Sequence, residues 1–194
     1  MQKIMFNDRI KLTAAVLEGQ KTMTRRVIKC PKNYDDFKVY KTAYGEHRFL
    51  LCDAAGFLVD EIDWRELARY QVGEIVAVAQ SYKDIGSICF EDWQMDESWF
   101  KAGFNNKMFV RADLMPHHIK ITNVRVERLQ DISDEDCLKE GIRRCNLNKK
   151  FAFDDKRAYN TAREAFAALI DKVSGKGTWG SNPWVFVYDF KLID

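Results

Sequence analysis

The segment Gly19-Gln20-Lys21-Thr22-Met23-Thr24-Arg25-Arg26 gathers a lysine, two threonine hydroxyls and two arginines directly behind a glycine. Lysine can hold an anion or, where burial strips its proton, act as a base. A hydroxyl within reach of such a base becomes a nucleophile. Arginine grips carboxylate or phosphate through paired N–H donors. These residue types can therefore support nucleophilic catalysis or anion recognition. Spacing alone leaves a plainer reading open, a solvated turn lysine beside a β-favouring threonine.

The flanking pattern supplies the elements that must position them. Asn7 or Asp8 can cap a helix running to Glu18, with Ile10, Ala14 and Leu17 on one buried face and Gly19 as its stop. Residues 22–28 read as a strand, rich in Thr and Val. In an extended chain 22, 24 and 26 share one face and 23 and 25 the other. Lys21, at the turn, can then approach the Thr24 hydroxyl, and Arg26 rather than Arg25 shares the face of Thr24. Both arginines remain candidate ligand-binding residues, with surface ion pairing as the alternative.

Further candidates lie far along the chain. Ser133, with an acid three residues on, caps a helix that stops at Gly141, and Glu140 is its last residue. A carboxylate there opposes the helix dipole at a cost of roughly a few tenths of a kcal/mol. Such a local penalty can mark function, although the chain holds many other acids. Trp179 and Trp184 bracket a Gly-Ser-Asn-Pro loop, where they can stack on a base or plug the end of a barrel.

Elsewhere the pattern predicts strands at 3–6, 74–79 and 108–112, a hairpin around 53–56 and a short helix from Asp63 to Arg69. A long strand follows at 119–129, bent near Asn123, then a helix at 157–173 and a closing strand at 184–193. Trp93, Trp99, Phe100 and Phe104 mark 83–107 as an insertion with its own apolar cluster. Strands and helices mix without βαβ alternation, which predicts an α+β fold around a small mixed or antiparallel barrel. At 194 residues the chain fits one domain, and a net charge of +2 excludes a general DNA-coating role. The five cysteines, Cys30, Cys52, Cys89, Cys137 and Cys145, form no CxxC pair. They read as reduced thiols rather than zinc ligands. His117 and His118 are neighbours on a strand and point apart. No metal and no cofactor is expected. Without a signal pattern or an apolar run near the ~18 residues of a membrane span, the expected location is cytoplasmic.

Taken with their elements, these residues resemble the ASCH domain family, which has the PUA-like fold. The helix followed by Gly19-Gln20-Lys21-Thr22-Met23-Thr24-Arg25-Arg26 is similar to that family's G-x-K-x-x-x-R-like hallmark. Three further stretches resemble its phage-type branch: Gly73-Glu74-Ile75-Val76, Val124 through Ser133 leading into Glu140-Gly141-Ile142, and Asn182-Pro183-Trp184 through Phe190. The resemblance spans roughly 1–28, 71–82, 108–142 and 178–193. It implies a single ASCH/PUA-like domain over 1–194, a β-pseudobarrel with flanking helices and insertions at about 29–70, 83–107 and 143–177. A small bacterial member hydrolyses N4-acetylcytidine to cytidine and acetate. It uses a lysine, a threonine three residues on and a glutamate on the helix after the long strand. The matched positions, Lys21, Thr24 and Glu140, are thereby implied as base, nucleophile and proton-handling acid. Gln20 and the double arginine depart from that motif, and other members are thought to bind RNA. The expected function is recognition of a nucleobase, nucleoside or RNA in a cleft lined by Lys21, Thr24, Arg26 and Glu140. Amidohydrolysis of an N4-acylated cytosine is its enzymatic form. The alternatives are non-catalytic RNA binding and a phage accessory interaction module.

Overall fold

The computed structural model describes residues 1–86, 102–145 and 149–193. The fold is α+β. A five-stranded sheet carries the site, in the order β1 (Gln2–Ile4), β6 (Ile75–Val78), β7 (His118–Arg128), β10 (Trp184–Leu192), β2 (Met23–Val27). Only β1 and β6 run parallel; the remaining pairs are antiparallel. The apolar run of β10 suits a strand flanked on both sides, and Val185, Phe186, Val187 and Tyr188 are all buried. The bend expected near Asn123 is a register shift, where Asp189 faces Asn123 but Phe190 faces Ile121. The edges β1 and β2 share no strand pairing, so the sheet is open. Its ends nevertheless approach, because the Arg26 guanidinium donates to the Met5 carbonyl at 2.8 Å.

A second sheet joins β3 (Asp36–Lys41), β4 (His47–Cys52) and β5 (Leu58–Asp63). Its β4–β5 hairpin turns around residues 53–56 as the pattern predicts, with Gly56 at φ +82°. Strand β3 escapes the pattern because only Phe37 and Val39 pack on the core, from an exposed edge. Phe49 fixes this sheet to the main core, with its ring 5.5 Å from that of Phe37 and 6.5 Å from that of Phe186. The short helix after Asp63 is α2 (Trp64–Leu67), capped by the Asp63 carboxylate.

Several boundaries differ from the pattern for identifiable reasons. The first strand ends at Ile4, and the expected helix to Glu18 splits where Lys11 takes a left-handed φ of 58°. A 3-10 turn, Asp8–Ile10, precedes the break, and α1 (Leu12–Leu17) follows it. Residues 108–112 form no strand. Two 3-10 turns, Lys107–Phe109 and Ala112–Leu114, flank the extended Val110 and Arg111, the first turn capped by Asn106 accepting from the Met108 N–H. The helix expected from 157 begins later, as α4 (Ala162–Ser174), because Tyr159 exchanges both backbone hydrogen bonds with Phe151. Phe104 packs on a small second core around Tyr82 and Met115, whereas Trp93, Trp99, Phe100 and Cys89 lie outside the described residues. Among the described residues no helix is long and apolar enough to cross a membrane.

Two helix ends position the entry to β2. The Lys21 N–H donates to the Ala15 carbonyl of α1 at 2.8 Å. The Thr22 N–H donates at 2.9 Å to the Lys139 carbonyl of α3 (Asp134–Lys139). Both use carbonyls that a helix C-terminus leaves without an internal partner. Gly141 turns the chain out of α3 at φ +101°, and a Cβ there would lie 3.2 Å from Leu12 and 3.7 Å from the Lys21 stem. Gly141→Ala should destabilise the protein by about 1–3 kcal/mol, read as a lower denaturation midpoint at unchanged m-value.

Candidate functional site

Six buried polar or charged residues are found among the described residues, and four of them, Lys21, Thr24, Arg25 and Glu140, meet at one place. Burying charge is costly unless partners are supplied, so this grouping is the chemical centre of the chain. Lys21 Nζ donates at 2.6 Å to the Glu140 carboxylate and at 2.7 Å to the Glu140 carbonyl. Its ammonium also lies 5.8 Å from the Phe6 ring centre. Burial pushes Lys21 below the ordinary lysine value of 10.5, against the charge and hydrogen bond of Glu140, and the charges of Arg26 and Arg25 add to the downward push. The result is a lysine that gives up its proton more easily than a solvated one while keeping a fixed partner.

Arg25 holds the other Glu140 oxygen at 3.2 Å and also pairs with Glu127 at 2.5 Å and Asp136 at 3.1 Å. Arg125 extends the network to Glu127, Asp136 and Asp189. Burial alone would raise the Asp136 carboxyl. The hydrogen bond and charge of Arg25, with the charge of Arg125, hold it below its ordinary 3.8. Arg25 is thus the brace behind Glu140. Cys137, on the same helix, is fully buried, and burial raises its thiol to about 12, which makes it inert at neutral pH.

Lys21, Thr24, Arg25 and Glu140 lie along a cleft of about 620 Å³ whose walls include Met5, Phe6, Leu12, Leu169 and Ile170. Thr24 pairs with Tyr188 across the strand, which fixes its backbone. Among the described residues its hydroxyl has no hydrogen-bond partner within the protein, and it borders the cleft. A nucleophile-capable oxygen, a depressed lysine and a carboxylate therefore share one cavity of nucleoside size.

Strand alternation assigns Arg26 to the face of Thr24, and Arg26 does border the cleft, exposed, over the Phe6 ring. Arg25 borders it too, although strand alternation puts it on the opposite face from Thr24. β2 is an edge strand, so residues on both of its faces can border a cleft along that edge, and Arg25 meets Glu127 on the sheet face the two share. The two tryptophans do not line this cleft; Thr178, Ser181 and Pro183 of their segment do. Trp179 packs edge-on against Phe166 and under the Arg163 guanidinium, and Trp184 lies against His47 with Arg128 at 4.4 Å. The bracing residues Glu127, Asp136, Arg125 and Asp189 were missed by motif alone. A signal existed, because Arg125 and Glu127 share a strand face and Asp136 and Glu140 share a helix face.

Among the described residues no group of three or more His, Cys, Asp or Glu is placed to hold a metal, since arginines occupy the spaces between these acids. Comparison with protein-family models, with curated proteins and with solved structures finds no match for this chain.

Arg25→Met should destabilise the fold by about 1.5–3 kcal/mol, because it removes a buried cation shared by three carboxylates and leaves them with Lys21 and Arg125. The pH dependence has a definite sign. The folded Asp136 pKa is depressed, so its contribution is present above the ordinary carboxylate value of 3.8 and is lost as the pH falls through the folded pKa. The stability gap between wild type and Arg25→Met should narrow as acid is added, as measured by urea titrations at several pH values.

Proposed function

We propose that this cleft binds a nucleoside and hydrolyses the acyl amide on an N4-acylated cytosine, in a PUA-like pseudobarrel of the ASCH type. The observation that carries the reading is the buried Lys21, held by Glu140, below the ordinary lysine value and in one cavity with the Thr24 hydroxyl. The approach of the two edges of the open sheet at the Arg26–Met5 hydrogen bond supports the pseudobarrel.

In this reading neutral Lys21 takes the Thr24 proton as Oγ1 attacks the acyl carbon. The negative charge that develops on the carbonyl oxygen meets the Arg26 guanidinium. Collapse breaks the carbon–nitrogen bond, and the Lys21 ammonium returns its proton to the departing N4 amine. Water then attacks the acyl-threonine ester, giving its proton to the Lys21–Glu140 pair, and frees acetate and Thr24. The sum is amide plus water to amine plus acid. The leaving group is conjugated to the pyrimidine ring, which eases its departure, so a small site suffices.

N4-acetylcytidine incubated with the protein should yield cytidine by chromatography. Thr24→Val leaves the Lys21–Glu140 pair in place and should lower kcat by roughly 10²–10⁴-fold, as should Lys21→Met. Turnover should rise with pH as Lys21 loses its proton, with a midpoint below 10.5. No turnover above the Lys21→Met control would remove the enzymatic reading. A second reading, RNA or nucleoside binding without chemistry, draws on the same pair, because Glu140 engages Lys21 in the resting site. It predicts binding without deacetylation, weakened by salt and by Arg26→Ala.

A further inference from the structure

A second cavity of about 610 Å³ adjoins the first and shares Met5, Arg26, Val27 and Lys29 with it. The bar between them is the Arg26 side chain bonded to the Met5 carbonyl. Arg26 and Lys29 border both cavities, which differ in the charges that accompany them. In the first, Lys21 and Arg25 are neutralised by Glu140, Glu127 and Asp136. In the second, Arg26, Lys29 and Arg69 form no ion pair among the described residues, and Glu66 is the one carboxylate in its wall. Lys3 also borders it but spends its ammonium on the Met108 and Val110 carbonyls at 2.7 and 2.6 Å. Tyr70 and Tyr188 form a rigid wall. The Tyr188 hydroxyl accepts the Arg69 N–H at 3.1 Å, and the Arg69 guanidinium lies 5.4 Å from the Tyr70 ring centre.

We propose that this second cavity binds a phosphate carried on the sugar of the nucleoside held in the first. The substrate class is then a nucleotide, free or within a strand, rather than a bare nucleoside. The inference rests on the proposed reading of the Lys21 cleft. Three cations around one cavity repel one another and are relieved when an anion arrives. Guanidinium forks match phosphate oxygens, and two of the three cations are arginines. Arg26 touches both cavities, so it couples recognition of the phosphate to the wall of the reactive cleft.

The test compares N4-acetylcytidine, its 5′- and 3′-monophosphates and a pentanucleotide with one N4-acetylcytidine, on wild type and on Arg69→Gln, alone and with Lys29→Gln. At least one phosphate-bearing form should show a KM about tenfold or more below that of the nucleoside. Arg69→Gln should abolish that advantage and leave nucleoside turnover unchanged. A preference for a monophosphate identifies a free nucleotide, and a preference for the pentanucleotide alone identifies a strand. Equal KM for all forms, or a preference that survives the double variant, overturns the phosphate site while hydrolysis stands. If no form is turned over, calorimetry with ribose 5-phosphate and ribose decides. Tighter binding of the phosphate by tenfold or more, lost in the double variant, upholds the site without the hydrolase. No difference between the two sugars overturns it.

Discussion

The Lys21–Glu140 ion pair is the interaction on which the rest of the site depends. Both side chains are almost entirely removed from water, at 2% and 4% exposure, and each must find its partners inside the protein. Lys21 finds them at the C-terminal end of α3, where the Glu140 carbonyl and carboxylate both accept. Glu140, at a helix end that disfavours its charge, is compensated by Lys21 on one oxygen and Arg25 on the other. The local penalty visible in the sequence is thus offset by two cations brought from over a hundred residues away. Gly141 lets the helix stop there, and the Lys139 carbonyl ties that stop to the start of β2.

A buried ion pair is a poor way to gain stability, since apolar side chains of similar volume commonly do as well or better. Its presence in the wall of a cavity that an unengaged hydroxyl also borders therefore fits a site better than a brace. The bracing falls to Arg25 and Arg125, which knit Glu127, Asp136, Asp189 and Glu140 together. The charge contrast between the two neighbouring cavities follows the same division. The first holds the paired Lys21, Arg25 and Glu140, and the second adds Arg69 to Arg26 and Lys29, which border both and form no ion pair among the described residues.

Local features drew attention to Lys21, Thr24 and Glu140, namely a glycine stop, strand alternation and a capped helix ending in glycine, but only the family resemblance joined them into one set. Their convergence was not readable from spacing, since it depends on α3 docking against the start of β2. Arg25 shows the limit of strand periodicity. Alternation fixes which face a side chain takes, but not that β2 is a sheet edge, where one cleft can be bordered from both faces. Trp179 and Trp184 were placed correctly beside a loop, yet their rings are claimed by Phe166, Arg163, His47 and Arg128, which no local window contains. The α+β class and the strands of the main sheet followed from periodicity. Residues 108–112 and 157–161 did not, because an asparagine cap and a backbone exchange with Phe151 outweighed their propensities.

The central claim is that burial holds Lys21 ready to lose its proton while Glu140 keeps it in place. Lysine side chains labelled with ¹³C at Cε report each ammonium titration by nuclear magnetic resonance, and Lys21→Arg assigns the resonance. The account predicts a Lys21 midpoint below the ordinary value of 10.5. A midpoint at or above that value would mean that the Glu140 charge outweighs burial, and would contradict a lysine poised as base.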